Sequence, residues 1–234
     1  MDLSKLAKLP LFRNKDLKLH YGIKYPEIYI CRHIKKIKTI EKGKYTIHED
    51  PLVYATQIIN PSYLSFLSAL NFYGHTTQIP LKLTIAITKQ KKELKQIKFI
   101  KINKRYFFGY KKIRYGDFEI FIADKEKLLL DCLIYQKYVS VSELNKLLKD
   151  NLDKDKLINY LNRINNIDLI RRTGYLLEIN GINIYDEYFQ RIKKVKKYIL
   201  LNRNLKKEII NNAKWKINVN EGADYDNYWR IKRL

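Results

Sequence analysis

Residues 26–47 pass without a break from an isoleucine-striped helical pattern into an alternating stretch folded about one glycine, and few folds accommodate that junction. Pro26 suits the first turn of a helix, because its missing N–H would have no partner there anyway. Ile30, Ile34 and Ile37 recur at the i, i+4, i+7 spacing of one helical face, and the helix is expected to run to about Lys38. Ile40-Glu41-Lys42-Gly43-Lys44-Tyr45-Thr46-Ile47 then alternates on both sides of a glycine turn, which predicts a β-hairpin. Upstream, Leu3, Leu6, Ala7 and Leu9 predict a first short helix stopped by Pro10. Leu17, Leu19 and Tyr21 predict a second, which Asn14 can cap and Gly22 ends. Three short helices and a hairpin are the pattern of a winged helix-turn-helix.

The face of the third helix turned away from its isoleucines carries Tyr25, Tyr29, Arg32 and Lys36, with Lys24 and Lys35 beside them. A guanidinium fork suits guanine edges, while phenols and ammonium groups suit phosphates. Lys42 and Lys44 flank Gly43 at the wing tip, within reach of a phosphate or the adjacent minor groove. These eight residues form the expected DNA-binding set. Residues 1–48 hold 12 Lys and Arg against 4 Asp and Glu, and the whole chain has a net charge of +23. An excess of that size repels itself and suits a polyanionic partner. The plainer reading is the solvated face of a lysine-rich chain.

Beyond residue 49 the texture changes. Leu52–Ile59 and Pro61–Tyr73 predict helices, each begun by a proline (Pro51 and Pro61), the second ended by Gly74. Leu83–Ile87, Ile97–Ile102, Tyr106–Tyr110 and Phe118–Ile122 predict strands. Helices are expected over Lys125–Tyr138, Ser142–Leu148 and Lys154–Ile164, and a basic amphipathic helix over Tyr185–Leu201. A tail from about Asn211 holds Trp215 and Trp229. The expected class is α+β: a winged helix-turn-helix at 1–49, a mixed α/β domain at 50–178, and a basic helical extension and tail at 179–234.

Several function classes lose ground on sequence alone. No run of roughly 18 apolar residues suggests a spanning helix, and no signal-peptide pattern opens the chain, so a cytoplasmic location without a membrane partner is expected. Cys31 and Cys132 stand far apart and are expected as reduced thiols. His20, His33, His48 and His75 show no metal-ligand spacing. No phosphate-cradling glycine loop occurs. Neither a cofactor, a metal nor a catalytic residue is expected. A nuclease-like reading rests only on Glu93-Leu94-Lys95 in a polar turn. RNA binding remains open through two basic stretches: residues 89–115, with 11 Lys and Arg against one Glu, and residues 190–207, with 8 Lys and Arg and no acid.

Four blocks in order carry a resemblance: Gly43-Lys44-Tyr45-Thr46-Ile47; Pro61-Ser62-Tyr63-Leu64-Ser65-Phe66-Leu67-Ser68-Ala69-Leu70 with Tyr73-Gly74-His75; Phe107-Phe108-Gly109-Tyr110; and Ile122-Ala123-Asp124-Lys125-Glu126-Lys127-Leu128-Leu129-Leu130-Asp131. Together they resemble the AbiEi-type antitoxin and transcriptional regulator family of type IV toxin–antitoxin systems, over roughly residues 1–178. The resemblance implies an N-terminal winged helix that binds the promoter of its own operon. It also implies a following domain that counters a toxin resembling nucleotidyltransferases. One departure is Lys125, where the family usually has proline. Asp124 can still cap the helix beginning at Lys125. Asp124, Glu126, Ser62 and Ser65 are therefore expected to cap and pack rather than to catalyse.

Overall fold

A computed structural model of the protein describes residues 4–13, 16, 37–205 and 210–220. The chain is α+β and divides into two compact units, Met1–Ser68 with Pro80–Ile122, and Ala69–Ile79 with Ala123–Leu234. Neither division falls at residue 49 or 178.

The first unit begins with a single helical turn, α1 (Ser4–Ala7), and a two-residue strand, β1 (Phe12–Arg13). The hairpin follows as β2 (Lys38–Glu41) and β3 (Lys44–Thr46), with Lys38 opposite Thr46 and Thr39 opposite Tyr45. The register shifts between Thr39 and Glu41, so Ile40 forms an irregularity instead of a plain pair. Gly43 turns the hairpin at φ 79°, a conformation that glycine adopts without steric cost. β1 pairs antiparallel with β3 and completes a three-stranded sheet in the order β1-β3-β2.

A five-stranded mixed sheet, ordered β6-β5-β4-β8-β7, forms the rest of this unit. Its strands are β4 (Ser62–Leu64), β5 (Leu83–Ile87), β6 (Ile97–Lys101), β7 (Tyr110–Tyr115) and β8 (Phe118–Ala123). A turn of helix, α2 (Pro51–Tyr54), precedes it, capped by the Asp50 side chain on Leu52 N–H. Two expectations are corrected here. Ser62–Leu64 is strand, not the start of a helix: it pairs with both β5 and β8, and helix α3 (Phe66–Phe72) begins only after it. Thr84 fixes that corner, donating its hydroxyl to Ser65 O at 2.6 Å and receiving Ser68 N–H. Likewise Lys104–Tyr106 is a 3-10 turn capped by Asn103, and the strand expected over Tyr106–Tyr110 starts only at Tyr110. Tyr63 is fully buried and stacks on Tyr110 with ring centroids 4.9 Å apart.

The second unit is built on α4 (Lys125–Ile134), buried from Glu126 to Leu133. Around it lie the short turn α5 (Asn145–Leu148) and helices α6 (Lys154–Ile164), α7 (Ile167–Glu178) and α8 (Tyr185–Lys193). Strands β9 (Ile199–Leu200), β10 (Ile210–Asn212) and β11 (Ile217–Val219) form a small sheet, with β11 parallel to β9 and antiparallel to β10. The basic helix expected over Tyr185–Leu201 therefore stops at Lys193, and its last residues become strand. No helix among the described residues is long and apolar enough to cross a membrane.

Candidate nucleic-acid interface

The N-terminal sheet is held by a small core of its own. Leu6, Phe12, Ile37 and Tyr45 are buried together, with Leu9 and Ile47 packed against them. Phe12 and Tyr45 stack at 6.2 Å, which locks β1 onto β3. Thr46 donates its hydroxyl to Pro10 O at 2.8 Å, and the His48 ring nitrogen meets Leu9 O at 3.0 Å. The chain entering β1 and the chain leaving β3 are thus tied to each other. Ile37, the last residue of the isoleucine stripe, points into this core.

The wing presents its two lysines differently. Lys42 is exposed beside Gly43 at the tip. Lys44 is half-buried: its ammonium sits 2.8 Å from Glu41 and also donates to Ile58 O. Glu41 receives Lys91 as well, so the hairpin is clamped to the loop before β6 by a Lys–Glu–Lys cluster. Burial alone would raise the Glu41 pKa, but the two ammonium groups outweigh it and hold the carboxyl below its ordinary range. Lys38, at the base of the wing, pairs with Glu49. Lys24, Tyr25, Tyr29, Arg32, Lys35 and Lys36 lie outside the described residues, as do Ile30, Ile34, Cys31, His20, His33 and Trp229.

The basic stretch at 89–115 lands on both edges of the five-stranded sheet. β6 and β7 are its outermost strands, with Lys98, Lys101, Lys111, Lys112 and Arg114 exposed along them. Edge lysines discourage another strand from adding to a sheet, which gives these charges a structural role. Glu93 is exposed and bound 2.7 Å from Lys82. Leu94 and Ile97 exchange backbone hydrogen bonds around the turn that follows it.

Groups that could be mistaken for catalytic ones are occupied in the second unit. Asp124 caps α4 on Lys127 N–H, accepts from the Tyr160 hydroxyl at 2.8 Å, and lies 3.1 Å from the Lys156 ammonium. Glu126 binds Lys156 at 2.8 Å and accepts Asp153 N–H at 3.0 Å. Burial, then the neighbouring Asp124, pushes Tyr160 up to about 12. His75 is buried beside Asp150 at 3.2 Å, and Lys125 pairs with the same carboxylate. In the first unit, Ser62 donates its hydroxyl to Thr56 O at 2.9 Å. Among the described residues, no group of three His, Cys, Asp or Glu side chains could hold a metal.

Two features escaped the sequence. A two-residue strand such as β1 is too short to leave a period, and only the contrast of Phe12 with the polar residues after it hinted at a buried position. The cluster of Lys91 with Glu41 joins residues far apart in the chain, which periodicity does not reveal.

No protein-family model and no curated protein matches the chain. Its fold is similar to that in the crystal structure of the RV2827C protein from Mycobacterium tuberculosis, with a TM-score of 0.69 at 15% identity, covering 92% of this chain and 88% of that one.

Proposed function

We propose that this chain is a sequence-specific transcriptional repressor that binds duplex DNA through an N-terminal winged helix, and that it acts by binding rather than by catalysis. The single observation that carries the reading is the sheet order β1-β3-β2. A strand between the first helix and the following segment, recruited to the edge of a later hairpin, is the framework on which a winged helix mounts its helix pair. Residues 14–37 fall between β1 and β2, where the sequence predicts that pair. Ile37 buried against Phe12 and Tyr45 supports a helix whose isoleucine stripe faces inward and whose Tyr25, Tyr29, Arg32 and Lys36 face outward. The exposed Lys42 on a glycine-turned tip suits a phosphate contact beside the groove.

On this reading the chain is the antitoxin of a type IV toxin–antitoxin system, represses its own operon, and counters a nucleotidyltransferase-like toxin. The support is the set of four sequence blocks. Their polar residues Ser62, Ser65, Asp124 and Glu126 hold corners and helix ends, as a binding scaffold requires.

The test is binding of the full chain to labelled DNA from upstream of its own gene, beside a scrambled duplex of equal length. Submicromolar affinity for the upstream DNA, with clear preference over the scrambled one, is expected. Equal affinity for both would reject sequence-specific repression. For the antitoxin role, the test is rescue of growth when the chain is co-expressed with the nucleotidyltransferase-like product of a neighbouring gene.

A further inference from the structure

We propose that the second unit carries a separate surface for single-stranded polynucleotide, on which bases stack against Phe189 and Tyr198 while phosphates meet the turn formed by Lys193, Lys194, Lys196 and Lys197.

Early termination of α8 creates this surface. A continuous helix would turn Phe189 and Tyr198 to opposite sides of its axis. Instead α8 ends at Lys193, Val195 N–H closes a turn on Ile192 O at 2.9 Å, and the chain re-enters as β9. The four lysines are all exposed in that turn, between two aromatic residues that are unusually open: Phe189 is 40% exposed and Tyr198 is 38% exposed. Both rings are tied to the Trp215–Lys216 segment. Phe189 lies 5.8 Å from Tyr185, and Tyr185 meets the buried Trp215 edge-on at 5.1 Å. The residue after Trp215, Lys216, places its ammonium 5.6 Å from the Tyr198 ring.

Among the described residues none of the four turn lysines is ion-paired; of the nearby carboxylates, Glu178 binds Lys214, Glu187 binds Lys154, Asp168 binds Arg171, and Asp186 accepts from the Asn183 amide. The turn is also held in place from beneath. The guanidinium of Arg171, only 1% exposed, donates to Lys197 O at 2.8 Å and to Trp215 O at 2.8 Å, while Arg172 donates to Leu200 O at 2.9 Å. Burial, with Arg203 close by, outweighs the opposing effect of Asp168 and brings Arg172 down to about 10. Exposed rings, one with the Lys193 ammonium 5.9 Å from its centroid, beside an ordered run of lysines without ion pairs are what single strands require, since every base has a face to stack and every linkage a charge to neutralise. Duplex DNA hides its base faces and would leave the rings unused.

The experiment uses the full chain and fluorescence anisotropy with short labelled oligo(U), oligo(dT) and a duplex. Salt-dependent binding to the single strands is expected. Phe189→Ala and Tyr198→Ala together should weaken it by about tenfold or more, with duplex binding and thermal stability retained. Phe189→Leu, which keeps apolar packing on Tyr185 without a stacking face, should weaken single-strand binding as Phe189→Ala does, whereas Phe189→Trp should retain it. Preference for oligo(U) over oligo(dT) would identify RNA as the ligand, and equal affinity a strand without sugar discrimination. No single-strand binding, unchanged binding in the aromatic variants, or an equal loss for single strands and duplex would each overturn the proposal. Because Lys42→Ala affects only the wing, failure of the promoter-binding reading is separable from failure of this one.

Discussion

Gly174 in α7 faces the indole of Trp215 so closely that a Cβ on residue 174 would lie 2.0 Å from the Trp215 Cη2 atom. Trp215 is fully buried, and its backbone N–H is fixed by Asn212 Oδ1 at 2.8 Å, so the ring has nowhere to retreat. Alanine in a helix interior is ordinarily favoured over glycine by about 1 kcal/mol. Here overpacking outweighs that gain, and Gly174→Ala should destabilise the protein by about 3 kcal/mol. Chemical denaturation measures it, and Trp215→Leu in the same background should recover part of the loss. An alanine variant as stable as the parent would show that the ring does not occupy this position.

The pair of Glu126 with Lys156 gives stability a defined pH dependence. Burial by itself would raise the Glu126 pKa, but Lys156 and the Asp153 N–H outweigh it, so the carboxyl titrates below its ordinary 4.5. Lys156 loses some proton affinity to burial but gains more from Glu126 and Asp124, and its pKa is raised. A carboxylate with a lowered folded pKa contributes stability above its ordinary value, and the contribution disappears as pH falls through the folded pKa. A lysine with a raised pKa contributes below its ordinary value and loses that contribution as pH rises through the folded one. Glu126→Gln should therefore cost about 1–3 kcal/mol at neutral pH, and the difference from the parent should shrink as pH drops below 4.5. Denaturation midpoints across pH check this; a constant difference would place the effect outside the ion pair.

Cys132 is fully buried in α4, and burial followed by the neighbouring Asp131 pushes its thiol pKa well up. The thiolate is the reactive form, so this cysteine should resist alkylation in the folded protein and react only once unfolded. Peptide-resolved mass spectrometry after iodoacetamide treatment, with and without denaturant, reads it directly. Labelling of the Cys132 peptide under native conditions would contradict its burial.

What the sequence disclosed and what it withheld follow from the range of the forces involved. The hairpin at 38–46 was legible because alternation around Gly43 is local, and the cap by Asp124 because an Asp before an apolar run satisfies helix N–H groups whatever surrounds it. Ser62–Leu64 misled because a proline followed by apolar residues suits either a helix start or a strand, and pairing with β5 and β8 decides the matter. The helix Ile167–Glu178 was not anticipated. Its Arg171 and Arg172 look like surface residues, yet both are buried to grip the distant carbonyls of Trp215 and Leu200. The continuation of α8 failed for a related reason: four lysines without acidic partners weaken a helix, and the residue before β11, Lys216, offers its carbonyl to Ile199 N–H at 3.1 Å instead. Of the expected DNA contacts, the wing separates into an exposed Lys42 and a Lys44 committed to Glu41 and Ile58 O, a division that only long-range packing sets.

That division makes the wing lysines distinguishable in solution. Lys44→Ala frees Glu41 from one of its two ammonium partners and removes a bond to Ile58 O, so it should lower thermal stability as well as DNA affinity. Lys42→Ala should leave stability within about 0.5 kcal/mol of the parent. Parallel melting curves and DNA titrations test the contrast. Equal thermal stability of the two variants would remove the structural role assigned to Lys44.

The most direct measurement is a salt titration of upstream and scrambled duplex binding by the parent, Arg32→Ala and Lys42→Ala. Arg32→Ala should cost about 1–3 kcal/mol on the upstream DNA and relax its preference, whereas Lys42→Ala should weaken both duplexes alike and reduce the salt slope by about 1. If neither substitution changes affinity, preference or slope, the N-terminal helix and wing are not what meets DNA.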